Sequence, residues 1–314
     1  MTEIAMHSYR AFGLIFSSEL ACPELATATG HPDVSVRFAQ PFTVQDTSAE
    51  AASGYDVRPG HFVLRVPRIG RFIVEEGRSI TIVPELGVDD GSLRLFLLGT
   101  AVGALLHQRA ELPLHGSAVW KDGRSVLLLG ASGAGKSSLA AALCRHGWRL
   151  QSDDISVVKA RNGLATCEAG FPRQKLWPDM LRQLGDDAER YDTIRAGLEK
   201  RNVPVESDLF HDAPAVVRGV VALGAYRGKM PLLAPVMGPH RMGLLKRLTF
   251  RPNLRTPLNM DLAHFEIIAA LARQASVWRL QRPRLDGSPL ALAEFLAPQL
   301  DAALASPTHD EAAS

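Results

Sequence analysis

Gly130-Ala131-Ser132-Gly133-Ala134-Gly135-Lys136-Ser137 decides how this chain is read. The octet satisfies G-x-x-x-x-G-K-[ST], a loop whose backbone N–H groups converge on phosphate oxygens. Gly130, Gly133 and Gly135 let the backbone curl tightly, Lys136 reaches the outer phosphates, and the Ser137 hydroxyl is suited to Mg²⁺. Ser132, Ala134 and Ser138 complete the candidate phosphate-binding set. The flanks agree with the motif. Ser125–Leu129 is a short apolar strand entering the loop, and Ser138–His146 is an Ala/Leu-rich helix stopped by Gly147. Together they predict a nucleoside triphosphate site.

Working upstream, Asp122-Gly123 separates His115–Trp120 from the strand at Ser125, a signal for a two-residue type I′ hairpin. A turn centred there pairs residues whose numbers sum to 245, which sets His115 opposite Gly130. Such a histidine either tunes groups near the triphosphate or is a core residue bonded to a carbonyl, and the register alone supports both. Downstream, Asp153-Asp154 ends the short stretch Trp148–Ser152, 17 residues past Lys136. Phosphoryl transfer to an alcohol uses one carboxylate for the metal and another for the hydroxyl proton, so the pair is a candidate for both duties. An exposed acidic turn is the alternative.

Residues 1–110 read as a β-rich unit that ends in a helix. Its strands fall at Tyr9–Phe16, Val34–Phe38, Phe62–Val66, Arg71–Val74 and Ser79–Val83, with a mobile loop over Gln40–Pro59. The helix covers Leu93–Gln108 with Ser92 as its cap. Residues 111–300 read as α/β. Strands are expected at Arg149–Leu150, Ile155–Val158, Leu164–Cys167 and Val216–Ala225, and helices at Lys175–Leu184 and Asp261–Ala275. The last helix would bury Leu262, Phe265, Ile268, Ala269 and Ala272. Residues 301–314 read as a flexible tail.

Composition narrows the class further. With 314 residues, 46% hydrophobic and 22% charged, there is ample material for a core. A net charge of +2 gives no general attraction to nucleic acid. The apolar run Leu95–Leu106 is too short to span a bilayer, so no membrane role is expected. Cys22, Cys144 and Cys167 form neither a disulfide framework nor a zinc pattern, and the first ten residues lack a signal-peptide pattern. A cytoplasmic protein is expected, with homo-oligomerisation left open.

L-H-G-S-A-V, the phosphate loop with its helix, and H-G-W-R-L-Q-S-D-D together resemble the HPr kinase/phosphorylase family, closely from His115 to Asp154. The resemblance implies an α/β phosphate-loop kinase core of the HPr kinase and phosphoenolpyruvate carboxykinase type, with a smaller β-rich N-terminal domain. It implies ATP and Mg²⁺ as cofactors. It also implies Lys136 as phosphate-loop lysine, Asp153 as proton acceptor, His115 as its assistant, and Ser137 with Asp154 as metal ligands. Where the bifunctional family carries E-I-R-G-x-G, this chain has Val216-Val217-Arg218-Gly219-Val220-Val221, which weakens the case for phosphorolysis. The N-terminal domain, Phe171–Pro178 and Leu248–Pro252 resemble a divergent branch that phosphorylates the terminal serine of precursor peptides, including lasso-type ones. The expected partner is therefore a precursor peptide or small protein. Alternatives are an HPr serine kinase/phosphorylase and a non-catalytic nucleotide-dependent regulatory module. The run Arg241, Lys246, Arg247, Arg251, Arg255 suits nucleotide phosphate or an acidic peptide, or else a solvated face, and with Arg173 and Lys175 it offers cations for an acceptor carboxylate. Trp177 suits either a peptide lip or a domain interface.

Overall fold

The structure is a computed structural model that describes residues 5–39, 54–195, 197–284 and 287–305. Eight strands form the first sheet: β1 (His7–Ala11), β2 (Leu14–Ser18), β3 (Ala26–Thr27), β4 (Val34–Phe38), β5 (Gly54–Arg58), β6 (His61–Val66), β7 (Gly70–Glu75) and β8 (Ser79–Pro84). Their order is β3-β1-β2-β4-β8-β7-β6-β5. Alternation is clear in β7, where Phe72 and Val74 are buried between more exposed neighbours, as one packed face requires. Tyr9–Phe16, read as one strand, is a hairpin turning at Phe12-Gly13, both with positive φ. Of the loop expected at Gln40–Pro59, residues 40–53 lie outside the described residues, and Gly54–Arg58 is strand β5 paired with β6.

The following helix starts earlier than its apolar pattern suggests. It runs through α1 (Asp90–Phe96), a π-turn at Leu97–Ala101, and α2 (Val102–Gln108). Its cap is Asp89, which accepts from the Ser92 N–H at 2.8 Å and from the Ser92 hydroxyl at 2.7 Å, so Ser92 donates from inside the first turn.

The second sheet is mixed. It contains β9 (Leu112–Lys121), β10 (Arg124–Gly130), β11 (Arg149–Ser152), β12 (Ile155–Arg161), β13 (Leu164–Cys167), β17 (Ala215–Tyr226), β18 (Leu232–Pro235) and β19 (Ser276–Pro283). Around it stand α3 (Lys136–Cys144), α4 (Pro178–Gln183), α5 (His240–Arg247), α6 (Asp261–Gln274) and α7 (Pro289–Ala305). Antiparallel pairs link β10-β9-β12-β13-β17, and a parallel pair returns from β17 to β10, closing a ring of five strands. On its other side β17 is parallel to β19, so β10, β17 and β19 all end at one edge. That edge carries the glycine-rich loop between β10 and α3. A third sheet, β14 (Arg173–Leu176), β16 (Leu198–Pro204) and β15 (Thr193–Arg195) in that order, is inserted between β13 and β17.

Apolar residues of the first sheet and the long helix pack in one cluster with Ile155 and Val157 of β12 and with Phe250 and Leu254. Several sequence readings shift here. Lys175 lies in β14 rather than in a helix, because Trp177, preceding Pro178, is held extended at ψ 152° and α4 begins at Pro178. Helix α6 buries His264, Ile267, Ile268 and Leu271, whereas Leu262 and Phe265 are 71% and 56% exposed. The supposed tail is helical to Ala305, and 306–314 lie outside the described residues. Among the described residues no helix is long and apolar enough to cross a membrane.

Candidate active site

The hairpin forms in the expected register. Asp122 and Gly123 have φ of +49° and +79°, and pairs run from Lys121–Arg124 to Gly116–Leu129. This brings the end of β10 beside His115, which pairs with Ile155 on the other flank. The loop then curls through Gly133 and Gly135, with φ of +78° and +94°, conformations that suit glycine. A Cβ on Gly130 would lie 2.9 Å from the Leu223 carbonyl oxygen of β17, so the strand end leaves no room for a side chain. Gly135 caps the nine-residue helix α3, whose first-turn N–H groups complete an anion cradle.

Lys136 Nζ donates to the carbonyls of Gly130 at 3.0 Å and Ala131 at 2.9 Å, and lies 3.1 Å from His115 Nε2. An ammonium only donates, so Nε2 accepts and the ring proton sits on Nδ1, which donates to the Asp154 carbonyl at 3.2 Å. Burial, with Lys136 second, lowers the His115 pKa below the usual histidine value, favouring this neutral form. Burial likewise lowers Lys136.

The two aspartates diverge because Asp154 has a φ of +70°, an uncommon conformation for a side-chain-bearing residue, of the kind strained sites retain. Asp153 turns inward. Its Oδ1 accepts from Ser117 Oγ at 2.6 Å and its Oδ2 from the Lys175 N–H at 3.1 Å. Burial raises its pKa, against hydrogen bonds that include Ser117 and Ser137. Asp154 faces outward, where Lys175 Nζ lies 2.7 Å from Oδ2 and His115 Nδ1 lies 3.8 Å from Oδ1. Burial alone would raise it, but Lys175, followed by His115 and Lys200, outweighs burial and holds it at about 2. Asp154 is therefore ionised at neutral pH.

Two open cavities meet here. The first, about 740 Å³, is lined by Ser132, Gly133, Gly135, Lys136, Ser137 and Ser138 from the loop and by Trp177, Met180, Lys200, Arg282 and Leu292 beyond it. The second, about 770 Å³, is lined by Leu95 and Phe96 of α1, Arg195 and Leu198 of the third sheet, and Arg247, Phe250 and Arg251. His115, Ser132, Asp154 and Lys175 border both. Gly130 opens on the second cavity, while Ala134 lines neither and turns its carbonyl to Arg282.

Of the expected acceptor cations, Lys175, Arg247 and Arg251 reach this cleft. Arg241 does not, since it donates to the carbonyls of Val236 and Ala272, and Arg255 pairs with Asp261. Arg173 donates to the Pro23 carbonyl and borders a smaller cavity behind the aspartates. Arg195, Lys200 and Arg282 had no motif to mark them. The structure alone brings them to the site.

The loop geometry fits a nucleotide. Ser137 and a neighbouring carboxylate match the one or two protein ligands that Mg²⁺ takes alongside phosphate oxygens. Among the described residues no cluster of three or more His, Cys, Asp or Glu is placed to hold a metal by itself.

No family model matches the chain, and no curated protein matches it. Among solved structures it is similar to the HPr(Ser) kinase/phosphatase from Coxiella burnetii, with 16% identity and a TM-score of 0.33 over 60% of this chain and 95% of that one. A likeness of that size carries no argument. The functional reading rests on the site itself.

Proposed function

We propose that this chain is an ATP- and Mg²⁺-dependent kinase that phosphorylates a serine hydroxyl on a peptide or small protein. The observation that carries this is the junction of a phosphate-loop cavity with a second cavity at Asp154, His115 and Lys175. A transferase that excludes hydrolysis needs donor and acceptor compartments meeting at one reactive group. In this reading the serine hydroxyl approaches from the second cavity, and its oxygen bonds to the terminal phosphorus as the bond to the ADP oxygen breaks. The hydroxyl proton passes to an Asp154 carboxylate oxygen.

The duties of the aspartates are reversed relative to the family resemblance. Asp153 has both oxygens engaged and sits by Ser137, which suits metal-side ordering, whereas Asp154 is ionised and open to both cavities. Mg²⁺, when bound, neutralises charge on the outer phosphates and would be held on the protein side by Ser137, which the buried Asp153 carboxylate orders. Lys136 adds its charge to those phosphates. His115 fixes Lys136 on one side and the Asp154 backbone on the other.

The second cavity supports an acceptor with an anionic group and apolar neighbours. Arg195, Arg247 and Arg251 line it, Asp154, the one carboxylate lining it among the described residues, is paired with Lys175, and Leu95, Phe96 and Phe250 supply apolar wall. A C-terminal serine with a free carboxylate, as on a ribosomally made precursor peptide of the lasso type, has this chemistry. The test offers the protein ATP, Mg²⁺ and serine-terminated peptides as free acids or amides, with mass spectrometry as readout. Phosphate on the terminal serine of the free acid, weakened by amidation, is expected. Phosphorylation of HPr with every peptide untouched would overturn the acceptor assignment.

A further inference from the structure

We infer that Arg282, at the end of the last strand, is a positioning residue that aims a phosphate-binding N–H of the loop and adds a cation to the nucleotide cavity. The inference rests on the nucleotide reading above. Strand β19 lies parallel to β17, which lies parallel to β10, so Arg282 emerges at the same edge as the phosphate loop. Its Nε donates to the Ala134 carbonyl at 3.1 Å.

The consequence follows from peptide geometry. In a planar trans peptide the C=O and the following N–H point to opposite sides. A guanidinium that holds the Ala134 oxygen therefore fixes the direction of the Gly135 N–H on the opposite side of that peptide. Gly135 is the residue with φ +94°, and a Cβ built there would sit 3.8 Å from Arg282 Nε, so the guanidinium rests on the loop itself. Arg282 also lines the phosphate-loop cavity and makes no ion pair with a carboxylate among the described residues. Its further hydrogen bond, from Nη1 to the Pro283 carbonyl, is long at 3.5 Å. Among the described residues no carboxylate neutralises this charge, which lines the phosphate-loop cavity.

The probe is a fluorescent ATP analogue with Mg²⁺, titrated against wild type, Arg282→Ala and Arg282→Lys, with AMP as competitor. Thermal midpoints are recorded without nucleotide. Arg282→Ala should weaken the triphosphate by about tenfold or more, the usual scale for a charge-assisted hydrogen bond, and weaken AMP less. Its midpoint without nucleotide should stay within a few degrees of wild type, and Arg282→Lys should recover part of the affinity. Affinity within twofold of wild type in Arg282→Ala would overturn the inference. So would loss of affinity accompanied by a large fall in midpoint that lysine does not restore. If wild type itself fails to bind the analogue, the nucleotide reading falls and this inference with it.

Discussion

Replacing Lys175 by methionine tests whether the charge of Asp154 is built by its neighbour. Lys175 Nζ lies 2.7 Å from Asp154 Oδ2, and the carboxyl is held at about 2 in place of its ordinary 3.8. At 1.36 kcal/mol per pKa unit, that net depression is worth about 2 kcal/mol. A third of the Asp154 side chain is open to solvent, so screening reduces the expected coupling to about 1–2 kcal/mol. A folded pKa below the unfolded one contributes stability that is complete above about pH 4 and is lost as pH falls through the folded value. Methionine removes the cation while burial remains, so the Asp154 pKa should rise. The variant should lose this stability at pH 7, and its deficit should shrink as pH falls from about 4 towards 2. Urea unfolding of wild type, Lys175→Met, Asp154→Asn and the double variant gives the coupling directly. A Lys175→Met penalty unchanged in the Asp154→Asn background would refute the reasoning, because the lysine would then be stabilising something other than the carboxylate.

Lys136→Ala should abolish phosphoryl transfer and weaken nucleotide binding, with the far-UV circular dichroism spectrum retained; turnover at wild-type rate by the folded variant would exclude a phosphate-loop mechanism. Asp154→Asn should slow transfer by roughly 10²–10⁴-fold with ATP affinity kept, whereas Asp153→Asn should raise the Mg²⁺ requirement and cost stability through its Ser117 and Lys175 hydrogen bonds. Matching metal-dependent defects in both, measured as rate against Mg²⁺, would contradict that division. Burial lowers the pKa of His107 and His264 to about 4, so the unfolded chain binds more protons than the folded one between that value and 6.5. Stability by urea unfolding should therefore fall as pH drops through that window, and His264→Gln should flatten part of the slope.

The sequence was most legible where spacing is short. The type I′ turn at Asp122-Gly123, the glycines of the loop and the strand–loop–helix order are local features with strict backbone demands, and each appears in the structure. The third sheet was not legible. Its strands, such as Arg-Gln-Lys-Leu and Leu-Glu-Lys-Arg-Asn-Val-Pro, are polar, and β14 finds its partner about 25 residues later. Helix α6 misled for another reason. Its buried face includes His264, whose ring lies 5.1 Å from that of His107 and bonds to the Glu111 carbonyl, so an apolar count turns the helix the wrong way. Opposite directions for Asp153 and Asp154 depend on one positive φ, which sequence does not announce for an aspartate. Arg282 was invisible because no motif joins it to a loop 148 residues earlier.

That separation sets an order of events during synthesis. The phosphate loop leaves the ribosome early, but β17, which flanks β10, and β19, which carries Arg282, follow much later. At translation rates of about 5–20 residues per second, roughly 7–30 seconds pass between Ala134 and Arg282. For the part of that interval before β17 emerges, one side of β10 has its hairpin partner β9 while the side destined for β17 is unpaired. A nascent chain is then at its most vulnerable to wrong strand pairing, and the contact of Arg282 with the Ala134 carbonyl arrives late, near the completion of the sheet.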